Sequence, residues 1–369
     1  MLARTLLSIV TASAVALSPA AAGPTLLFDP ADGKVLYAED LDHQWHPASL
    51  TKIMTALLVF EAIREGKLTL ETKIGCSELA HSQPPSKVGL PVGAEMTVEV
   101  ALQALILKSA NDVAVMLAEA VAGSQDAFVA RMNATAARLG MTRTVFANAN
   151  GLPAPEQVTT ARDLAKLTQA VLRDYPNYAS MWAMVEMRMG KRRLRSHNAL
   201  LNNYDGADGI KTGFICDSGF NIVASATRDG RRLVAVVLGE VTGRERSARA
   251  ANLLEYGFYA HGWKSMFGTE SLDTMPVAAD AKSVVSIRHA VISWACGTGR
   301  RRVLARSKRK KAKAAIAAKA KAGTEEAQKQ EPQKQDKSQA GSKTKAGAQV
   351  PPRPDKAKPK GEKTSATAK

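Results

Sequence analysis

Three strand-like runs crowd into residues 209–214, 219–226 and 232–239, while the remaining strand signals sit at the opposite end of the chain. Those are residues 26–29 and 35–37, flanking Ala31-Asp32-Gly33, an Asp-Gly hairpin signal. The last two C-terminal runs are joined across a second such signal, Asp229-Gly230. Helical periodicity fills the space between. Strands at both ends with helices in the middle predict an α+β fold: a mixed, largely antiparallel sheet with helices on its faces. No internal repeat is evident. After Trp263 too few residues remain before a basic run to build a second sheet domain.

The helices are read from apolar spacing and their end signals. Ser49 opens one that runs to about Arg64, with Ile53, Leu57 and Phe60 at helical intervals, Met54 and Leu58 beside them, and Gly66 closing it. Residues 98–107 form another, ending at Lys108 before a turn at Ser109. Residues 112–121 resume helix, 127–139 follow up to Gly140, and Thr160 caps 161–172. A C-terminal helix covers 244–259. Over 283–295 the residues Val284, Ile287, Val291, Trp294 and Ala295 share one helical face beside Arg300–Arg302. Such a face either packs on the domain or lies on a membrane surface.

The two ends of the chain differ in kind from its body. Arg4, an uncharged and largely apolar run over 6–17, and Ala20-Ala21-Ala22 read as a secretory signal over residues 1–22, with an uncleaved anchor as the alternative. The body spans 23–263, a short extension 264–299, and a Lys/Ala-rich basic tail 300–369. That tail holds 22 Lys and Arg against 6 Asp and Glu, a surplus of 16 that accounts for nearly all of the chain's net +17. It has no aromatic residue and too little apolar surface to offset the entropy of ordering, so it is expected to be disordered. A cationic arm on an exported protein suits an anionic membrane surface or wall polymer, and argues against nucleic acid. It reads equally as a solvated spacer. Export to periplasm or cell envelope permits one disulfide among Cys76, Cys216 and Cys296, and the spacing leaves the pairing open.

Chemistry is carried by three short motifs in one order: Ser49-Leu50-Thr51-Lys52, Ser109-Ala110-Asn111 and Lys211-Thr212-Gly213. Alone, each has a bland reading as a helix cap, a turn or a strand end. Ser-x-x-Lys recurs at Ser307 and Ser342, and Ser-x-Asn at Ser196, whereas Lys-Thr-Gly occurs once. In sequence they form the parts of a serine acyl-transfer site that works without histidine. A serine hydroxyl needs a base, and at helical spacing the Lys52 amine shares a face with Ser49. Its pKa must fall, which burial and a neighbouring cation such as Lys211 would cause. The start of the Ser49 helix and the Phe214 amide could receive an oxyanion, and Gly213 lets substrate approach the strand. Lys211 and Thr212 would bind a substrate carboxylate. Ser109 and Asn111 would relay the proton to the leaving amine and hold the substrate amide. The reaction calls for no cofactor and no metal.

On these residues the chain resembles the low-molecular-mass penicillin-binding proteins, the serine D-alanyl-D-alanine carboxypeptidases. The likeness extends to Pro47-Ala48-Ser49, Lys108-Ser109-Ala110-Asn111-Asp112, Ala122-Gly123-Ser124, Asn150-Gly151-Leu152, Thr160-Ala161-Arg162-Asp163, Asp208-Gly209-Ile210-Lys211 and Gly219-Phe220-Asn221. It implies a β-lactamase/penicillin-binding-protein-like sheet between helical layers. It also implies removal of terminal D-alanine from peptidoglycan peptide stems, with β-lactams as covalent inhibitors. By position within Thr242-Gly243-Arg244-Glu245, the resemblance makes Arg244 a substrate-carboxylate contact. The long basic tail and the missing all-β second domain depart from the family pattern.

Three alternatives stay open: a serine β-lactamase, a D,D-endopeptidase, and an inactive β-lactam-sensing or wall-binding protein. The first needs a water-activating Glu between the second and third motifs. Glu156 is nearest, without the Asn that one major class pairs with it.

Overall fold

A computed structural model describes residues 23–267, 270–291 and 296. The expected signal over 1–22 and the basic tail from 300 lie outside the described residues. In chain order the elements begin with strands β1 (Thr25–Phe28) and β2 (Val35–Glu39), then a 3-10 turn, Ala48–Thr51, leading into α1 (Lys52–Arg64). Next come β3 (Lys73–Gly75), α2 (Glu78–Ser82), β4 (Glu95–Thr97) and α3 (Val98–Gln103), which widens into a π-helical segment, Ala104–Lys108. Then follow α4 (Asn111–Ala122), α5 (Gln125–Arg138), α6 (Ala161–Asp174) and α7 (Ala179–Trp182). A hairpin of β5 (Glu186–Met189) and β6 (Arg192–Arg195) precedes α8 (Leu200–Asn203). The chain continues through β7 (Ala207–Ile215), β8 (Gly219–Arg228), β9 (Arg231–Glu240), α9 (Gly243–Phe267) and α10 (Arg288–Val291).

The two sequence-distant sets of strands merge into one antiparallel sheet, ordered β2-β1-β9-β8-β7. Leu26 of β1 pairs with Ala38 of β2 and Val236 of β9, and Ala224 of β8 pairs with Ala235 of β9 and Ile210 of β7. Side chains alternate between the faces of a strand, so each strand supplies two cores. Leu26, Phe28, Val223, Val234 and Val236 join the larger helical layer, which includes α1, α4 and α6. Leu27, Ile222, Ala224, Leu233 and Val237 pack instead on Ala250, Leu253 and Leu254 of α9. The architecture is helix, sheet, helix, as the distribution of strands predicts.

α1 is the central helix of the larger layer. Its side chains from Lys52 through Phe60 are all buried, on every face. A helix enclosed all round needs apolar residues all round, which is why its sequence shows little amphipathic contrast. Thr55 is a polar exception and Lys52 a charged one, both buried.

Residues 270–291 cross the domain as a strap. The Arg162 guanidinium donates to the Leu272, Met275 and Pro276 carbonyls at 2.7, 2.9 and 3.1 Å, and grips the buried Asp42 carboxylate at 2.7 and 2.9 Å. Farther along, Ile287 and Val291 enter the core, and Arg288 forms an ion pair with Asp217 at 2.8 Å. Cys296 then closes a disulfide with Cys216, leaving Cys76 as the buried free thiol. Of the two readings of 283–295, the described residues follow packing on the domain. Among the described residues of that stretch, helix covers Arg288–Val291; Trp294 and Ala295 lie outside the described residues.

Arg162→Met should strand a buried carboxylate and release three carbonyls together. The expected loss is about 3–5 kcal/mol, read from the urea midpoint.

Candidate active site

The 3-10 turn Ala48–Thr51 carries Ser49, and Lys52 opens α1 directly after it. In a 3-10 turn residues three apart eclipse one another, more closely than in an α-helix. The Lys52 Nζ therefore stands 3.1 Å from Ser49 Oγ. Two further groups engage the amine: Asn111 Oδ1 at 2.8 Å and the Asn150 carbonyl in a short contact. This count matters. In the charged form the amine donates to all three oxygens; once one proton is lost, two N–H donors serve the two carbonyl-type oxygens and a lone pair can turn to the Ser49 hydroxyl. Burial first, and then the Lys211 charge, hold the Lys52 pKa well below the usual lysine value, against a weaker opposing pull from Asp112.

Each partner of Lys52 is held from a different part of the chain. Asn111 begins α4, where its amide nitrogen donates to the Ser86 carbonyl at 2.7 Å and its side-chain amide to the Pro84 carbonyl at 2.9 Å. Asp112 accepts from the Val88 and Gly89 amides at 3.0 and 2.7 Å, fixing the 84–89 loop beside the site. Asn150 sits in a turn that Thr55 Oγ1 braces through the Ala149 carbonyl at 2.6 Å. Gly151, at φ +81°, lies directly against the Ala48 carbonyl, where no Cβ would fit.

Ser109 follows the π-helical segment in the left-handed region at φ 59°, and Ala48 precedes Ser49 at φ 49°. Non-glycine residues in this region store strain, which in folded proteins gathers at functional sites. The Ser109 Oγ is buried with no hydrogen-bond partner. A hydroxyl so placed is available to a ligand.

β7 forms the outer edge of the sheet and brings Lys211, Thr212 and Gly213 to the Ser49 turn. A Cβ on Gly213 would meet the Pro47 oxygen at 2.9 Å and the Ser49 nitrogen at 3.1 Å. Asn221 of β8 fixes the approach by donating to the His46 and Pro47 carbonyls at 3.0 and 3.3 Å. An edge strand leaves alternate backbone groups unpaired, and here they border the cleft. Phe214 follows Gly213, its ring packed 4.2 Å from that of Phe220.

Arg244 is exposed on α9, whereas Arg246, two residues on, is buried with its charge acting on Lys211. Two residues turn a helix by about 200°, which moves a side chain to the opposite face. The Arg246 guanidinium lies 5.9 Å from the Phe220 ring centroid and 3.5 Å from the His197 carbonyl, and its buried Nε has no partner. Desolvation lowers it to about 10. Lys211 is lowered to about 7 by desolvation and then by Arg246, and its Nζ donates to the Thr212 carbonyl at 3.1 Å. His197 is exposed as a residue. Desolvation of its ring, then Lys211, Lys108 and Arg246, nevertheless hold the imidazole neutral, down to about 4. Among the described residues neither Lys211 nor Arg246 forms an ion pair. No three His, Cys, Asp or Glu side chains gather to hold a metal among the described residues.

Glu156 is exposed, whereas the adjacent buried Gln157 braces the 147–152 turn through the Ala147 and Asn148 amides at 3.1 and 3.2 Å. The described contacts give Glu156 no route to Ser49. Arg246 and the Asn150 carbonyl were missed as site groups, although Asn150-Gly151-Leu152 stood out as a landmark.

The D-alanyl-D-alanine carboxypeptidase family model matches residues 10–242. Similar proteins include D-alanyl-D-alanine carboxypeptidase DacC of Escherichia coli K12, 39% identical over 240 residues, 63% of this chain and 60% of that protein. DacF of Bacillus subtilis is 36% identical over 231 residues, 61% of this chain and 59% of its own length. The chain thus spans about 60% of the curated relatives it matches. Among solved structures, penicillin-binding protein 5 from Haemophilus influenzae superposes with a TM-score of 0.63 at 32% identity, over 64% of this chain and 71% of that one. Penicillin-binding protein D2 from Listeria monocytogenes, in its cefotaxime-bound form, gives 0.59 at 31% identity, over 64% and 97%.

Nuclear magnetic resonance titration of labelled lysines should place the Lys52 transition well below 10.5. In Lys211→Gln the transition should move upward, because a cation that disfavours protonation has gone. An unmoved transition would contradict the coupling.

Proposed function

The chain belongs to the D-alanyl-D-alanine carboxypeptidase family, and from that premise we propose that it removes the terminal D-alanine from peptidoglycan pentapeptide stems. The supporting observation is the buried Lys52 amine, held by Asn111 Oδ1 and the Asn150 carbonyl with its Nζ 3.1 Å from Ser49 Oγ. Ser49 Oγ attacks the carbonyl carbon of the penultimate D-alanine while Lys52 takes the hydroxyl proton. The oxyanion forms beside the Ser49 and Phe214 amides. Collapse of the adduct expels D-alanine, its nitrogen receiving a proton relayed by the Ser109 hydroxyl. Water then attacks the ester, releasing the shortened stem and restoring Ser49.

Lys211, Thr212 and the buried Arg246 bind the terminal carboxylate, and Asn111 holds the substrate amide. The anion removes the repulsion between Lys211 and Arg246, so binding the correct chain end offsets the cost of burying two cations. Gly213 keeps the strand close enough for the substrate backbone to lie along it. A β-lactam would be opened by the same attack and remain as an ester on Ser49. The exposure of Glu156 favours this reading over a β-lactamase. The enzyme works in the periplasm or cell envelope, its basic tail held by an anionic membrane surface or wall polymer.

Incubation with penicillin should add one drug mass to the tryptic peptide carrying Ser49, with slow release. Lys52→Met should lower D-alanine release from a pentapeptide by at least about 100-fold. Rapid penicillin turnover, or unchanged release in that variant, would defeat the reading. Deleting residues 300–369 should leave activity on soluble peptide intact and weaken salt-sensitive retention on isolated wall or membrane. Equal retention at low salt would reduce the tail to a spacer.

A further inference from the structure

The β5–β6 hairpin carries a concentration of charge that the reaction above does not use. Between 186 and 195 lie Arg188, Lys191, Arg192, Arg193 and Arg195 against one carboxylate, Glu186. Strand register separates them by face: Glu186 pairs with Arg195, and Arg188 with Arg193. These four share the outward face. Met187 and Leu194, paired on the other face, are buried and seat the hairpin on the core. Arg193 bonds Glu186 at 2.7 Å, while Arg188, Lys191 and Arg195 form no ion pair among the described residues. All five cationic residues are exposed.

Two contacts tie the hairpin to the cleft, the first from its core-side face. Arg192 donates to the Val88 carbonyl at 2.6 Å, so the hairpin leans on the 84–89 loop whose Pro84 and Ser86 carbonyls hold Asn111. In the other direction β6 runs directly into Ser196 and His197, beside Lys211 and Arg246. At about 3.3 Å per residue, Arg193 is at most ~13 Å along the chain from His197. Charges on an isolated ribbon discourage edge-to-edge aggregation, but mixed signs would serve that purpose. Placing Arg188 opposite Arg193 sets like charges across the ladder, which weakens the ribbon until an anion lies between them.

On the reading that the substrate is a peptidoglycan stem, we infer that the outward face of β5–β6 is a specificity surface for the stem's own upstream carboxylates. The acidic second residue of such a stem is joined through its side chain, so its main-chain carboxylate stays free. It lies on the order of 10 Å from the scissile bond in an extended peptide. The hairpin face then binds the acidic part of the stem while Lys211 and Arg246 take its terminal carboxylate. Amidation of the second residue removes the group that the hairpin recognises.

The test is a comparison of three substrates: diacetyl-lysyl-D-alanyl-D-alanine, an acidic pentapeptide, and the same pentapeptide amidated at its second residue. Arg188, Arg193 and Arg195 are changed together to Gln. The triple variant should raise KM about tenfold on the acidic pentapeptide alone, with kcat unchanged and the effect fading at high salt. Its activity on the short peptide and its labelling by penicillin should match the unaltered enzyme, which also shows that it folds. Equal KM on the acidic and amidated pentapeptides in the unaltered enzyme would overturn the inference. So would a variant that differs only in retention on anionic vesicles. If the unaltered enzyme releases no D-alanine from the short peptide, it is the catalytic reading that fails.

Discussion

A lysine amine stripped of water, and given no carboxylate to pair with, organises this molecule. Lys52 is fully enclosed in the central helix, and its three contacts come from the Ser49 turn, the start of α4 and the 148–151 turn. Burial and the Lys211 charge disfavour an ammonium ion there, so the amine gives up its proton more readily than a lysine in water. The three polar contacts satisfy the amine geometrically and also lock three chain segments together. Loss of any one would leave a buried polar group unpaired.

Around that centre the backbone is strained or compressed wherever segments converge. Ala48 and Ser109 adopt left-handed conformations, and Gly151 and Gly213 lie against the Ala48 carbonyl and the Ser49 turn. Compression is possible because β7 is an edge strand: one side is locked to β8, and the other is free to meet the turn and a substrate. The strap over 270–291 secures the far end of this arrangement. Its contacts with Asp217 and the Cys216–Cys296 disulfide hold the loop that follows β7. Lys211 on β7 and Arg246 on α9 add a second electrostatic element, in which burial and the arginine charge lower the lysine to about 7.

Much of the fold was legible from periodicity and turn residues, since the strands at both ends of the chain could bury their apolar faces only by joining one sheet. Ser49 and Lys52 were legible because their interaction is local: a spacing of three within a helical turn places them together whatever surrounds them. Arg246 was not. Which face of α9 meets the cleft depends on Phe220 and the 197 region, which arrive from elsewhere in the chain. Asn150 escaped because it contributes a main-chain oxygen, and every residue has one. The pairing of Cys216 with Cys296 was open for the same reason, since it depends on where the strap docks.

The amino-acid sequence by itself determined the class of fold, the order of the three motifs and the identity of the Ser–Lys pair, because each follows from short-range pattern. Only the tertiary structure decided which arginine faces Lys211, which carbonyl engages Lys52, and how the C-terminal strap is fastened. Those are contacts between segments distant in sequence, and their geometry is set by packing against a shared core, which no local pattern encodes.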